Sequence, residues 1–181
     1  MTRLAGLAAL GPAVLAPGSP GFAQPANRSL DEGARAVWNR VEGPYAAAIF
    51  RQAQRMDLPC ADGNGQCSLG RLADDVEIHA SNETPAPRHV VAAISYSGGG
   101  SAVMREILLF ERRDGSYRYR ARLSGLFGTG LKATFQGATA TFRALTLRPD
   151  DARCCPQGET VYQVDLASGR VRYVSGNRPR G

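Results

Sequence analysis

Apolar positions along this chain follow two periods, and the change from one to the other falls near Asp75. Upstream, Leu30, Ala34, Val37, Trp38 and Val41 recur at helical spacing with Arg35, Asn39 and Arg40 between them, which predicts an amphipathic helix docked by one face. Ser29 followed by Glu32 forms a capping box, so this helix is expected to open at Ser29. Gly43-Pro44 ends it. The proline suits the first position of a second helix over 44–56, whose stripe is Tyr45, Ala48, Ile49, Gln52 and Met56. Trp38 lies inside the first stripe and is expected to pack against a sheet.

Downstream the period becomes two. Val76 to Ala80 reads as a short strand, 81–87 as a proline-containing loop, and 89–97 as a more deeply buried strand through Val90, Val91, Ala92, Ala93 and Ile94. The glycine-rich connector over 97–101 lacks the Gly-Lys-Ser/Thr ending of a phosphate-binding loop. Strands over 104–113 and 116–123 flank Asp114-Gly115, a pair that tolerates positive φ and predicts a type I′ hairpin. In that register Phe110 faces Tyr119, Leu108 faces Ala121 and Glu111 faces Arg118, which makes Leu108, Phe110, Tyr119 and Ala121 one core surface. A second hairpin is expected over 131–135 and 138–147 about Gln136-Gly137, and a third over 160–166 and 170–174 about Ala167-Ser168-Gly169. The pattern predicts an α+β domain, two N-terminal helices packed on an antiparallel meander sheet of about six to eight strands.

Residues 1–23 read as a secretory signal peptide, with Arg3 as the positive region, an apolar run over 4–16 and Gly21-Phe22-Ala23 as the cleavage site. The apolar run is interrupted by Gly11-Pro12 and is too short to span a bilayer, so no transmembrane helix is expected after cleavage. Residues 24–181 are then a single exported domain, periplasmic or secreted. The formal net charge is +6, and Lys132 is the sole lysine among the 22 basic residues. Such a field favours anionic partners without selecting one.

The cysteines are Cys60, Cys67, Cys154 and Cys155, an even number in an oxidising compartment, where two disulfides are the default and three pairings are possible. The loop between Cys60 and Cys67 faintly echoes a calcium loop but lacks its glycine order and distal glutamate, so no metal is expected. Neighbouring Cys154 and Cys155 leave three readings open. A bond between them must fit α-carbons about 3.8 Å apart, below the usual disulfide range. Each can instead pair with Cys60 or Cys67, clipping the long loop to the sheet. The third reading is a reactive thiol, for which only Arg153 hints at a lowered pKa.

The element Asp151-Ala152-Arg153-Cys154-Cys155-Pro156, preceded by a glycine-rich turn and a Leu-Leu-Phe strand ending in Asp-Gly, resembles a broad group of uncharacterised secreted bacterial proteins. The likeness spans roughly residues 89–164, and Gln157 stands where relatives commonly carry Ser or Thr. In that group the double cysteine often occurs without others, which implies a vicinal Cys154–Cys155 bond and hence a Cys60–Cys67 bond. The group has no agreed activity, so the resemblance implies export and fold rather than function.

Candidate chemistry is sparse. His79 and His89, the only histidines, lie in or beside strands without a Gly-x-Ser-x-Gly elbow or a Cys-His signature, and no zinc spacing occurs. Asp74, Asp75, Glu77, Asp150, Asp151 and Glu159 offer carboxylates of the kind any soluble domain carries. The most concentrated feature is basic: Arg118, Arg120 and Arg122 alternate along one strand, placing three guanidinium groups on one face about 6 to 7 Å apart, with Arg112 and Arg113 at the turn. The expected function is a non-catalytic envelope module that binds a protein or an anionic polymer through Arg118, Arg120 and Arg122, with no cofactor. Nucleic acid is not the expected partner, because Tyr117 and Tyr119 alternate to the inward face. The alternative is an envelope hydrolase or a thiol-redox protein using the Cys154-Cys155 turn.

Overall fold

The computed structural model describes residues 26–60, 63–97, 103–152 and 155–177. The expected signal peptide over 1–23, most of the 97–101 connector and Cys154 lie outside the described residues. Within them the chain is mixed helix and sheet, dominated by strands: ten strands in three antiparallel sheets, with three helices.

Helix α1 covers Ala26–Trp38 and α2 covers Ala46–Gln54. The first begins upstream of the expected capping box, so Ser29 lies within the helix and not at its N-cap. Between α2 and the main sheets the chain forms a small hairpin, β1 at Asp57–Pro59 and β2 at Gln66–Ser68, and a short helix α3 at Leu69–Leu72. None of these three follows from the sequence pattern. Ser68 caps α3, its hydroxyl accepting the Arg71 N–H at 3.3 Å.

The remaining strands form two four-stranded meanders. The first contains β3 (Ala73–Ala80), β4 (His89–Ser97), β5 (Val103–Arg113) and β6 (Ser116–Arg122), and the second β7 (Thr129–Gln136), β8 (Thr139–Thr146), β9 (Gly158–Asp165) and β10 (Val171–Gly176). The single sheet expected from the sequence is therefore split. The cause is β4, in which every residue from His89 to Tyr96 is buried, so both faces of its sheet need cover. Helices cover one face, where Val37, Ile49, Ala53, Leu69 and Leu72 pack on Val90, Ala92, Ile94, Leu108 and Phe110. The second meander folds over the other, where Val91, Ala93, Ile107 and Leu109 meet Ala140, Phe142, Tyr162 and Val164. The result is three layers: helix, sheet, sheet.

Asp114 has φ 49° and Gly115 φ 78°, the two positive values that a type I′ turn requires. Phe110 pairs with Tyr119 and Glu111 with Arg118, as the turn predicts. Beyond them the register slips: Leu109 faces Ala121 and Leu108 faces Arg122. Arg120 is the extra residue of a β-bulge, so Ala121 leaves the face expected for it. In the second meander Gln136 pairs with Thr139, which moves the turn to Gly137-Ala138, with Gly137 at φ 57°.

The tight β5–β6, β7–β8 and β9–β10 turns and the 81–88 loop lie at one end of the sandwich, and the longer connections at the other. Arg105 on β5 marks the second end, donating from Nη1 to the Gly128 carbonyl at 3.3 Å. Exposed Val103, Met104, Phe127, Leu145, Leu147 and Val174 all gather towards that end. Arg88, Arg113 and Arg120 gather at the hairpin end.

Candidate anion-binding site at the hairpin end

Glu111 near the end of β5 lies between His89 on β4 and Arg118 on β6 in the strand register. Its side chain is 8% exposed, yet it is surrounded by cations: Arg113 Nε at 2.9 Å, Arg120 Nε at 3.3 Å and Arg88 Nη2 at 3.5 Å. Burial alone would push this carboxyl up, but the bond from Arg113 and the charges of Arg113 and Arg120 hold it below its ordinary range. One buried acid thus orders three guanidinium groups, of which Arg88, 65% exposed, and Arg113, 51% exposed, turn their other sides to water.

Each arginine is delivered by a different device. Arg113 ends β5 at the type I′ turn, and Arg120 is the bulged residue of β6, which also donates to the Ala167 carbonyl at 2.7 Å. Arg88 ends the 81–88 loop, its N–H bonded to Glu83 at 3.1 Å and its carbonyl accepting Arg112 N–H at 2.7 Å. That loop is held by Tyr117, whose hydroxyl donates to the Pro87 carbonyl at 2.7 Å.

The structure corrects the geometry expected of the arginine strand. Arg118 and Arg120 belong to the Glu111 end, Arg118 exposed and without an ion pair among the described residues. Arg122 is turned by the bulge to the helix-covered face, where it bonds Glu106. Three guanidinium groups therefore do not share one face. The hairpin register already sets Glu111 opposite Arg118; what sequence periodicity misses is Arg88, which comes from a loop.

Glu106 is the electrostatic opposite of Glu111. It is buried on the helix side near Tyr96, its Oε2 has no hydrogen-bond partner, and burial raises its pKa against the pull of Arg122.

The histidines do not assemble a nucleophilic site. Ser81 bonds the backbone of His89, accepting its N–H at 2.9 Å and donating to its carbonyl at 3.1 Å, while His89 Nδ1 is buried without a partner. His79 Nε2 lies 3.8 Å from Glu77, and its ring stands edge-on to Phe142 at 6.1 Å. Burial lowers the pKa of both imidazoles.

No family model, no curated protein and no solved structure matches this chain.

Of the four cysteines, Cys60 and Cys67 form a disulfide that bridges the loop between β1 and β2. Cys155 is also disulfide-bonded, and the expected pairing with Cys154 involves a residue outside the described ones. Asp151 of the Asp-x-x-Cys-Cys-Pro element has a clear local task. Its Oδ2 accepts the N–H groups of Arg148 and Gln157, both at 2.8 Å, closing the loop across the cysteines. Among the described residues no group of three or more His, Cys, Asp or Glu side chains is placed to hold a metal ion.

Proposed function

We propose that the protein is a non-catalytic module of the bacterial envelope, periplasmic or secreted, that holds an anionic polymer at its hairpin end. The observation that carries this reading is the arrangement of Arg88, Arg113 and Arg120 around the single buried Glu111. One carboxylate orders three cations, and exposed Arg118 adds to the surplus. Ordering a guanidinium in advance reduces the entropy lost when it meets a phosphate or carboxylate. The Cys60–Cys67 disulfide fits an oxidising compartment, as does the likeness of the Cys154-Cys155 turn to secreted bacterial proteins. Among the described residues no helix is long and apolar enough to cross a membrane.

The test is retention on an anionic matrix, such as phosphocellulose, across a salt gradient. The unaltered protein should elute late and salt-sensitively, and an Arg88→Ser/Arg113→Ser/Arg118→Ser variant early. Arg122→Ser, which removes one such charge from the opposite face, should elute close to the unaltered protein, and each of the single Arg88→Ser, Arg113→Ser and Arg118→Ser variants clearly earlier. Equal losses per arginine at all these positions would reduce the effect to net charge and remove the proposed site.

A further inference from the structure

The end of β8 inverts the rule that governs the rest of its strand. Phe142 and Ala144 are buried with exposed Arg143 between them, as a sheet with one solvated face requires. Past them, Leu145 and Leu147 are exposed, while the buried position between them holds Thr146, whose hydroxyl lies 2.8 Å from that of Thr160. A strand that only had to stay soluble would place leucine and threonine the other way round.

The inversion belongs to a wider apolar rim at the end away from the hairpins. Of the eight large apolar side chains exposed among the described residues, six lie towards this end. Gly128 joins the parts: its carbonyl accepts Arg105 Nη1 from β5, and a Cβ on it would meet the Leu145 carbonyl at 2.5 Å. Phe127, next to it and 52% exposed, therefore stands between Val103 and Met104 on one sheet and Leu145 and Leu147 on the other.

Two features select what covers this rim. Val103 and Met104 are consecutive in β5 and so project from opposite faces of their sheet, which wraps the apolar groups around the end instead of laying them on one plane. A rigid protein partner, including a second copy, meets one surface by complementary shape, whereas a fluid layer closes around an end from every side. The charges beside the rim are of both signs: Asp74 opens β3, and Arg148, Asp150 and Asp151 follow Leu147. That mixture complements headgroups that carry both phosphate and ammonium. We infer that this end of the sandwich enters the surface of a zwitterionic phospholipid bilayer, burying Val103, Phe127, Leu145 and Leu147 in it. The site lies at the opposite end from Glu111 and does not rest on the anionic-polymer reading.

The experiment floats the full exported chain with vesicles of phosphatidylcholine, at low salt and at about 1 M salt, where a Debye length of about 3 Å silences the hairpin-end arginines. The unaltered protein should float in both. Phe127→Ser/Leu147→Ser should lower partitioning by about tenfold, the order expected for withdrawing two half-exposed apolar side chains, and should keep its retention on phosphocellulose. Phe127→Trp should add an emission that lipids brominated on their acyl chains quench, while Trp38 of the unaltered protein, the only tryptophan of the chain, stays unquenched. The assignment is overturned if the unaltered protein does not float, if flotation disappears at high salt or survives in the serine variant, or if the tryptophan at position 127 is not quenched. A lipid-free dimer that the serine variant splits would also overturn it and make the rim a contact between copies. Flotation of the unaltered protein and quenching in Phe127→Trp decide the matter even if the serine variant fails to fold.

Discussion

Arg120 and Arg122 stand on the same strand, two positions apart, and bond carboxylates on opposite faces of the sheet, Arg120 with Glu111 and Arg122 with Glu106. In a regular strand both would point the same way. The bulge at Arg120 inverts the alternation, and with it the charge pattern of β6. It also separates two buried acids that differ in their company. Glu111 has three cations and is held in its charged form, whereas Glu106 has one half-exposed partner and is pushed towards its neutral form.

That contrast predicts opposite responses to the same substitution. Glu111→Gln removes the charge that three guanidinium groups share and should cost about 1–3 kcal/mol at pH 7. Glu106→Gln removes a charge whose burial outweighs its partner and should leave stability within about 1 kcal/mol or raise it. Urea unfolding of both variants at pH 7 checks this, and a larger loss for Glu106→Gln would contradict the electrostatic assignment.

The sequence carried much of this and stopped at identifiable places. Asp114-Gly115 was readable because only one turn type accepts two such residues with positive φ, and it set the Phe110–Tyr119 and Glu111–Arg118 pairs correctly. The bulge was not readable, because nothing in Tyr119-Arg120-Ala121-Arg122 distinguishes a regular alternation from one with an extra residue. The apolar run from Val90 to Ile94 did signal burial. Its full meaning, that two helices cannot cover both faces and the chain must fold a second sheet across, required weighing faces against available cover. Of the Glu111 cluster, the register placed the acid beside the β6 arginines, while Arg88, carried by the 81–88 loop, was not legible.

Acid should destabilise the fold through its histidines. Both are kept below the ordinary value of 6.5: His79 by burial and Arg105 against Glu77, and His89 by burial, Arg88 and Arg120 against Glu111 and Glu83. The unfolded chain then takes up protons first as pH falls through about 6.5, so stability declines below that value, by at most roughly 1.4 kcal/mol per pH unit for each histidine. Glu111 adds a further loss only below its ordinary 4.5, while Glu106 acts in the opposite direction. Unfolding midpoints at pH 7.5 and 5.5 should differ less in a His79→Gln/His89→Asn variant than in the unaltered protein.

Two glycines with similar backbone angles should differ in their tolerance of alanine. Gly115 has φ 78° and open space where a Cβ would stand, so Gly115→Ala should cost about 1 kcal/mol from conformation alone. Gly169 has φ 71°, and a Cβ there would meet the Cβ of Ala121 at 2.3 Å, so Gly169→Ala should cost about 2–4 kcal/mol. Thermal midpoints rank the pair, and equal shifts would mean that the β9–β10 turn yields more readily than its packing implies.

Opening the Cys60–Cys67 loop should release local order. The cysteines are separated by seven positions, and breaking so short a closure costs about 2.5 kcal/mol on the chain-entropy account. A Cys60→Ala/Cys67→Ala variant should show that loss in urea unfolding and faster amide exchange in β1 and β2. Unchanged exchange there would show that the hairpin is held by its packing on Leu69 and Met56.

The close approach of Gly169 to Ala121 has one more result. Where the β9–β10 turn rests on β6, the two sheets are clamped together at less than the spacing a single methyl group would need. At this point the seam between the β9–β10 turn and β6 is closed by backbone meeting side chain, and it stays closed only while position 169 carries no side chain.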